Sequence, residues 1–413
     1  MNNFDDQFSI KRRNLLLGAA AFGATSLASL RTVNASTAGV IGTPTGNTSS
    51  FMTSDFPQKG SMILHRTRPP LLETPFEVFD RGVFTPADQF YVRWHLASFP
   101  TTIDPATYRL NVHGHVKKSI SLTLNELLTD FDRYEIVAVN QCAGNSRSQF
   151  SPRVTGAQWN NGAMGNARWT GVRLKDILEK AGIKEKAQLV RFKGLDKGVI
   201  PETRDFMKSL EIDHCLAGEV MVAYAMNGEA LPLLNGYPLR LVVPGWYATY
   251  WTKMLSDIEV LNTADDNFWT TQAYLIPDTP HASVSPGEQG FKKIPISKMV
   301  PRSFFTNIRD GSIVRASQPV EIRGIAFGGE HALQKVQLSI DDGQTWTPVP
   351  LGQDYGKYSF RQWQTIVKFP QPGTRLLMVR AFDSTGQVQP PIANWNGSGF
   401  MRNVIETIHV TVA

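Results

Sequence analysis

Of the two cysteines in the chain, Cys142 is the one placed for chemistry. It follows an apolar, strand-like run, Tyr134 to Val139. It opens a stretch, Asn140 to Leu174, rich in glycine and asparagine and carrying three spaced arginines, Arg147, Arg153 and Arg168. A thiolate at the end of a buried strand suits soft or late-transition metal ions. A lone cysteine after a strand is also an ordinary small buried hydrophobe, so residue types alone leave both roles open. A second polar pair stands at Arg93 and His95. They are two residues apart and therefore on one face of an extended chain. Cys215, in the segment IDHCLAGEV, reads as a buried free thiol rather than a disulfide partner for Cys142.

The elements that must hold these groups are short. Gln89 to Trp94 is a β-prone run that delivers Arg93 and His95. Leu122 to Phe131 reads as a helix, with Thr123 and Glu126 in capping-box spacing. Arg173 to Ala181 reads as a second helix stopped by Gly182. Short strands alternating with short helices, without βαβ spacing, predict an α+β first domain over residues 61–290. Beyond a boundary near residue 290, runs at 320–327, 335–341, 360–369, 375–383 and 404–412 are separated by turns. Those turns are Gly328-Gly329, Asp341-Asp342-Gly343 and Pro372-Gly373. This spacing predicts an immunoglobulin-like β-sandwich over residues 291–413.

With 413 residues, 42% hydrophobic and 19% charged, the chain has material for two globular domains. A net charge of +6, without a Lys/Arg-rich run in the body of the chain, gives no support for nucleic-acid binding. It is compatible with attracting small anions. Residues 1–35 read as an export signal. Arg12-Arg13 precede a stretch from Leu15 to Leu30 that is too weakly apolar to span a membrane, and Val33-Asn34-Ala35 forms a small-residue cleavage site. The arginine pair points to the twin-arginine route, which exports proteins already folded. A periplasmic protein with no membrane span in the mature chain is expected. Residues 36–60, rich in Ser, Thr, Gly and Pro, read as a flexible leader with order beginning near Ile63. No G-x-G-x-x-G, Walker loop, C-x-x-C, H-E-x-x-H or C-x-x-C-H pattern occurs, so nicotinamide, nucleotide-hydrolysis, zinc-protease and in-chain haem readings lack support.

The run CAGNSR, followed by GAMGNARWTGVRL, resembles the cofactor loop of the sulfite oxidase family of molybdenum enzymes, in particular its bacterial periplasmic dehydrogenases. The likeness extends over about residues 60–413. It implies that Cys142 ligates molybdenum carried by a pyranopterin dithiolene. FYVRWH resembles the family's F-x-V-R-x-H element, which implies that Tyr91, Val92, Arg93 and His95 reach cofactor or substrate. Gly194-Leu195-Asp196 resembles a turn whose aspartate helps hold the pterin. Asn235 to Arg240 matches H-G-x-P-x-R, with Arg240 as a phosphate partner; Asn235 departs from the histidine of animal and plant members. Trp251, Thr252 and Lys253 occupy the place of another cofactor-binding segment, with Lys253 a second phosphate partner. In VAYAMNG, Tyr224 reads as packing. Phe268-Trp269 and then Tyr274 resemble the segment carrying the active-site tyrosine. Trp395 to Asn403 resembles W-N-x-x-G. Vertebrate members place an arginine where this chain has Ser398, and Arg402 is carried over in its stead.

The resemblance therefore implies oxidation of sulfite to sulfate at a cysteine-ligated molybdenum–pterin centre, with Arg93, His95, Arg147, Tyr274 and Arg402 around the substrate. Electrons would leave to a c-type cytochrome, either free or as a tightly bound subunit, because no haem is expected in this chain. A homodimer or a heterodimer is compatible with the second domain. Alternatives are an S- or N-oxide reductase, a sulfane dehydrogenase, or a cofactor-free exported binding module. The second β domain counts against the reductase branch, which typically lacks it.

Overall fold

In this computed structural model, residues 40–42 and 51–413 are described; the expected export signal, residues 1–35, lies outside them. The site is positioned by one β-hairpin. Strand Tyr134–Gln141 pairs antiparallel with Met164–Arg173 in unbroken register, from Tyr134 opposite Gly171 to Gln141 opposite Met164. The residues that end the first strand, Ala138 to Gln141, are all buried. Cys142 therefore emerges at the mouth of the hairpin, where its N–H donates to the carbonyl of Ala163 (2.9 Å). Met221–Met226 continues this sheet on the far side of Met164–Arg173, and Arg240–Val242 pairs along Met221–Met226. A second five-stranded sheet contains one parallel pair, Leu255–Leu261 beside Leu110–Gly114.

Helices are few and brief. Leu124–Thr129 has the expected capping box: the Thr123 hydroxyl accepts from the N–H of Glu126 (3.1 Å), and the Glu126 carboxylate accepts from the N–H of Thr123 (2.7 Å). Leu174–Ala181 buries Leu174, Ile177, Leu178 and Ala181, one face at helical spacing. It stops at Gly182, whose φ of 70° lies where a side chain is disfavoured. With α-helices of six, eight and five residues among the described residues, the chain is mostly β, not the α+β expected. Helices this short have little stability of their own, and the apolar runs between them pair into ladders instead.

The later part of the chain forms two facing sheets. The larger includes Ser312–Val314, Leu333–Ser339, Gly373–Asp383 and Glu406–Val412, and the smaller is Arg302–Phe305, Pro319–Phe327 and Arg361–Lys368. Their inner faces close over a core holding Val320, Ile322, Trp363, Leu377, Val379 and Val410. Order in the expected leader starts earlier than Ile63. Val40–Gly42 pairs with Ser312–Val314, Met52–Thr53 pairs with the strand at Met62, and Lys59 is buried. The reason is local: a sheet edge is available to each short segment, and backbone pairing there satisfies polar groups on both sides.

The two parts are not separated by a simple linker. The hairpin of Leu275–Pro277 with Lys293–Pro295 straddles residue 290. A single apolar cluster joins Val139, Ala143 and Tyr274 to Phe304, Phe327, Phe360 and Phe400. Consequently the later domain reaches the rear of the site.

Candidate active site

Tyr91, Arg93 and His95 alternate along an extended segment, and all three line one cavity; Val92 and Trp94 point the other way, into a separate apolar cluster. The Val92 side chain is thus not a cavity residue, a consequence of the two-residue period. The cavity is lined further by Cys142, Asn235, Arg240, Trp251, Lys253 and Tyr274. Its lining contains three basic side chains (Arg93, Arg240 and Lys253) and no carboxylate.

Burial governs the protonation of this wall. His95 is held well below the usual histidine range, first by desolvation and then by Arg93 and Lys253. It is therefore neutral at pH 7, and its Nε2 shares a hydrogen bond with the hydroxyl of Tyr274, donor and acceptor depending on the tautomer. Tyr274 is pushed up by burial, so it stays a phenol. Its ring stacks nearly parallel on Phe400 (5.2 Å, 4°), while Phe206 stacks on His95 at 3.9 Å. Arg240 lies over the rings of Trp169 and Trp251 and donates to the carbonyl of Asn235 (2.9 Å). Burial pulls its pKa to about 10, so it remains charged. Lys253 donates to the carbonyl of Arg93 (2.9 Å). Burial pulls Lys253 down to about 7, with Asp196 opposing. Asp196 is itself raised to about 6, by burial first and against the pull of Lys253.

Three nitrogen donors of residues on this wall have no partner among the described residues: Arg93 Nη1, Arg240 Nε and Asn140 Nδ2. A buried donor left unmade costs about 1–3 kcal/mol. Three of them facing a cavity that holds cations but no carboxylate define a receptor for an anionic, acceptor-rich group. Among the described residues no group of three or more His, Cys, Asp or Glu could hold a metal. A metal at Cys142 must therefore bring most of its ligands with it, as a dithiolene cofactor does. The residues present fit that group: a soft thiol beside an anion-binding wall.

Not every expected residue comes to this wall. Asp196 sits behind Lys253, and Thr252 is buried off the cavity, its carbonyl accepting from the N–H of Leu241 (2.8 Å). Arg147 is buried, but its guanidinium is spent on backbone carbonyls of Ala157 (3.1 Å), Gly399 (3.1 Å) and Ser398 (3.4 Å). Arg402 lies near Glu406 (4.0 Å) and leaves Nε and Nη1 without hydrogen bonds. Neither Arg147 nor Arg402 lines the cavity. Arg153 and Arg168 bond Gln158 and Glu135 at the surface. Conversely, the cavity recruits Asn140, Thr249 and Phe206, which sequence reasoning did not single out. Asn140 had a readable signal, since it lies near the end of the strand, two residues before Cys142, and so shares its face. Cys215 is fully buried and raised by desolvation, an inert thiol.

A thiol in a cationic cavity, backed by a β-rich second domain, suits the class that comparison with known proteins gives: a molybdopterin oxidoreductase. Residues 96–269 match the oxidoreductase molybdopterin binding domain, and residues 293–413 match the Mo-co oxidoreductase dimerisation domain. The chain is 33% identical over 390 residues to human mitochondrial sulfite oxidase, covering 90% of this chain and 69% of that protein. It is 29% identical over 361 residues to a nitrate reductase [NADH] of Volvox carteri, covering 82% and 41% respectively. A crystal structure of the sulfane dehydrogenase SoxCD from Paracoccus pantotrophus shares the fold, with a TM-score of 0.69, 24% identity, and coverage of 84% of this chain and 88% of that one. The chain belongs to the sulfite oxidase family, and its cofactor is molybdenum–molybdopterin.

Proposed function

We propose that this chain oxidises sulfite to sulfate in the periplasm and passes the electrons to a c-type cytochrome. The observation that carries the reading is the cavity wall itself, where Cys142 stands with Arg93, Arg240 and Lys253 and no carboxylate. In balance, sulfite and water give sulfate, two protons and two electrons. The bound molybdenum–pterin group supplies the two-electron oxygen-atom transfer.

The protein's part is binding, orientation and proton placement. Cys142 is the metal's protein ligand. Arg240, Lys253 and the Asn235 amide hold the anionic end of the cofactor, and Trp251 packs beside them. Arg93 keeps an unspent donor toward the cavity, which offsets the cost of stripping water from a small anion. Neutral His95 and phenolic Tyr274 form a hydrogen-bonded pair that holds a proton at the wall without adding charge. Arg147 acts from behind, fixing through the carbonyls of Ser398 and Gly399 the turn that carries Phe400 against Tyr274, and Arg402 stands beyond that turn near Glu406. The two facing sheets of the later domain are read as an immunoglobulin-like sandwich that mediates a homodimer or seats a cytochrome subunit. The family's dimerisation domain at residues 293–413 supports that reading.

The test is sulfite-dependent reduction of a soluble c-type cytochrome by purified, molybdenum-loaded protein. Methionine sulfoxide with a reduced viologen, and a protein-bound sulfane substrate, serve as parallel assays. Turnover with sulfite is expected; turnover confined to either parallel assay overturns the substrate. Periplasmic residence is checked by fractionating cells that carry Arg12→Lys and Arg13→Lys, which should retain the protein in the cytoplasm.

A further inference from the structure

Lys59 comes from the segment preceding the first long strands, yet it is buried, with its Nζ against the rear of the cavity wall. It has three acceptors: the carbonyls of Ala87 (2.7 Å) and Phe90 (2.9 Å), and Oδ1 of Asn235. Three acceptors match the three N–H groups of an ammonium, whereas a neutral amine has only two hydrogens. No carboxylate touches it; burial pulls its pKa down to about 7, with Asp88 opposing from a distance. Keeping the ammonium charged beside a wall that already holds Arg93 and Arg240 calls for a negative partner nearby. The contact with Asn235 also settles an ambiguity. An amide can turn either its oxygen or its nitrogen to a cavity, and an anion needs the nitrogen. With Oδ1 held by Lys59, Nδ2 is the end left over. One of its hydrogens goes to the carbonyl of Tyr91 (3.1 Å), and the other remains for an occupant. The backbone carbonyl of Asn235 accepts from Arg240 (2.9 Å), so Lys59 and Arg240 hold the same residue, one at its side-chain amide and the other at its backbone.

We propose that Lys59 is a positioning residue of the cofactor site, fixing the Asn235 amide as a donor and adding a buried positive charge toward the anionic end of the pterin group. The inference rests on the molybdenum–pterin assignment. It gives the early segment a part in binding that a flexible leader would not have. It also explains how an amide serves at a position where other members carry histidine: the lysine supplies from behind the charge and orientation that an amide lacks.

The experiment uses full-length protein produced with its cofactor, and reads molybdenum and pterin content per chain after prolonged dialysis. Pterin is measured by the fluorescence of its oxidised form, and the melting temperature of cofactor-free protein serves as the fold control. Lys59→Met is expected to retain about tenfold less pterin than wild type. In an Asn235→His background the same substitution should cost much less, because the amide it orients is gone. Asn235→Asp places a carboxylate beside the ammonium. It should fold as stably as wild type while losing the cofactor, which keeps the idea testable if Lys59→Met does not fold. Equal retention by Lys59→Met and wild type overturns the proposal. So does an undiminished loss in the Asn235→His background, which would make Lys59 a scaffold residue only. Wild-type protein free of molybdenum and pterin would instead overturn the cofactor assignment on which the inference rests.

Discussion

Two groups of arginines, one on the cavity wall and one behind it, use their hydrogens differently. In the cavity wall, Arg93 and Arg240 each keep a nitrogen without a partner. Behind the wall, Arg147 places all three guanidinium nitrogens on carbonyls of the two domains. Its neighbour Arg302 donates to the carbonyl of Arg402 (2.7 Å), the hydroxyl of Ser146 (3.3 Å) and the carboxylate of Glu406 (2.6 Å). Burying a cation is costly in either place. Where donors are spent on the protein's own acceptors, the cost is met internally and the result is scaffold. Where they are left over on a residue that lines the cavity, the missing acceptor is an occupant. Charge and burial alone do not separate binding residues from structural ones, and an unspent N–H does so only at the cavity lining, since Arg302 Nε and Arg402 Nε and Nη1 also lack partners behind the wall.

The sharpest test of the binding group is its thiol. Cys142→Ser removes the protein's soft ligand to the metal, and turnover should fall on the order of a hundredfold or more. The melting temperature of cofactor-free protein should stay close to wild type, because Cys142 is only partly buried. Next in size is Arg240→Met. Truncating one partner of a buried charge pair costs about 2–5 kcal/mol, so pterin retained after dialysis should drop at least tenfold. Unchanged retention would move Arg240 into the scaffold group.

The contrast is tested most directly by treating one member of each group alike. Arg93→Gln should raise the KM for sulfite by about tenfold, with little change in melting temperature, because Arg93 holds no other residue through its guanidinium and faces the cavity. Arg147→Gln strips donors from the carbonyls of Ala157, Ser398 and Gly399. Stability should fall by about 2 kcal/mol or more, with a smaller rise in KM than Arg93→Gln gives. Steady-state kinetics beside thermal melts of both variants checks this. If Arg147→Gln instead raises KM strongly at unchanged stability, Arg147 belongs to the substrate pocket and the division by spent donors fails there.

Much of the local structure was readable in the chain. The capping box at Thr123 and Glu126, the stop at Gly182 and the strands of the later domain follow from short-range rules that the fold obeys. The placement of Arg93 with His95 on one face, and of Val92 on the other, follows from strand alternation. What the chain could not show by itself is set by contacts between distant residues. Lys59 reaches Asn235 across 176 positions, and Phe206 stacks on His95. Neither has a spacing rule. Tyr274 was legible only through family likeness, since a buried tyrosine is ordinarily packing. Arg147 and Arg402 show the converse: motif position brought them near the site, but Arg147 is spent on the carbonyls of Ala157, Ser398 and Gly399 and Arg402 lies by Glu406, arrangements invisible until both domains are folded together. The mostly β character was missed because short apolar runs suit a helix or a strand equally, and only pairing partners decide.

Lys208, a buried cation over the Tyr274 ring, extends the comparison to titration. It is fully buried, donates to the carbonyl of Trp269 (3.1 Å), and lies over the rings of Tyr250 (4.4 Å) and Tyr274 (5.3 Å). Burial pulls its pKa down to about 7, with Asp265 opposing. An unfolded lysine titrates near about 10.4. Between those values the unfolded chain holds a proton that the folded chain has released, so this group makes stability rise with pH across that window. Below pH 7 both states are protonated and the burial cost is in full force. Lys208→Met removes the ionisation, so its effect relative to wild type should be most favourable near pH 6 and least favourable near pH 10. The difference should be on the order of 1 kcal/mol, because water entering the site relieves most of the burial cost. Melts of both proteins across that range check it. Parallel curves would mean that Lys208 keeps its proton in the fold throughout, and that the rings of Tyr250 and Tyr274 stabilise the cation as fully as carbonyls stabilise Arg147.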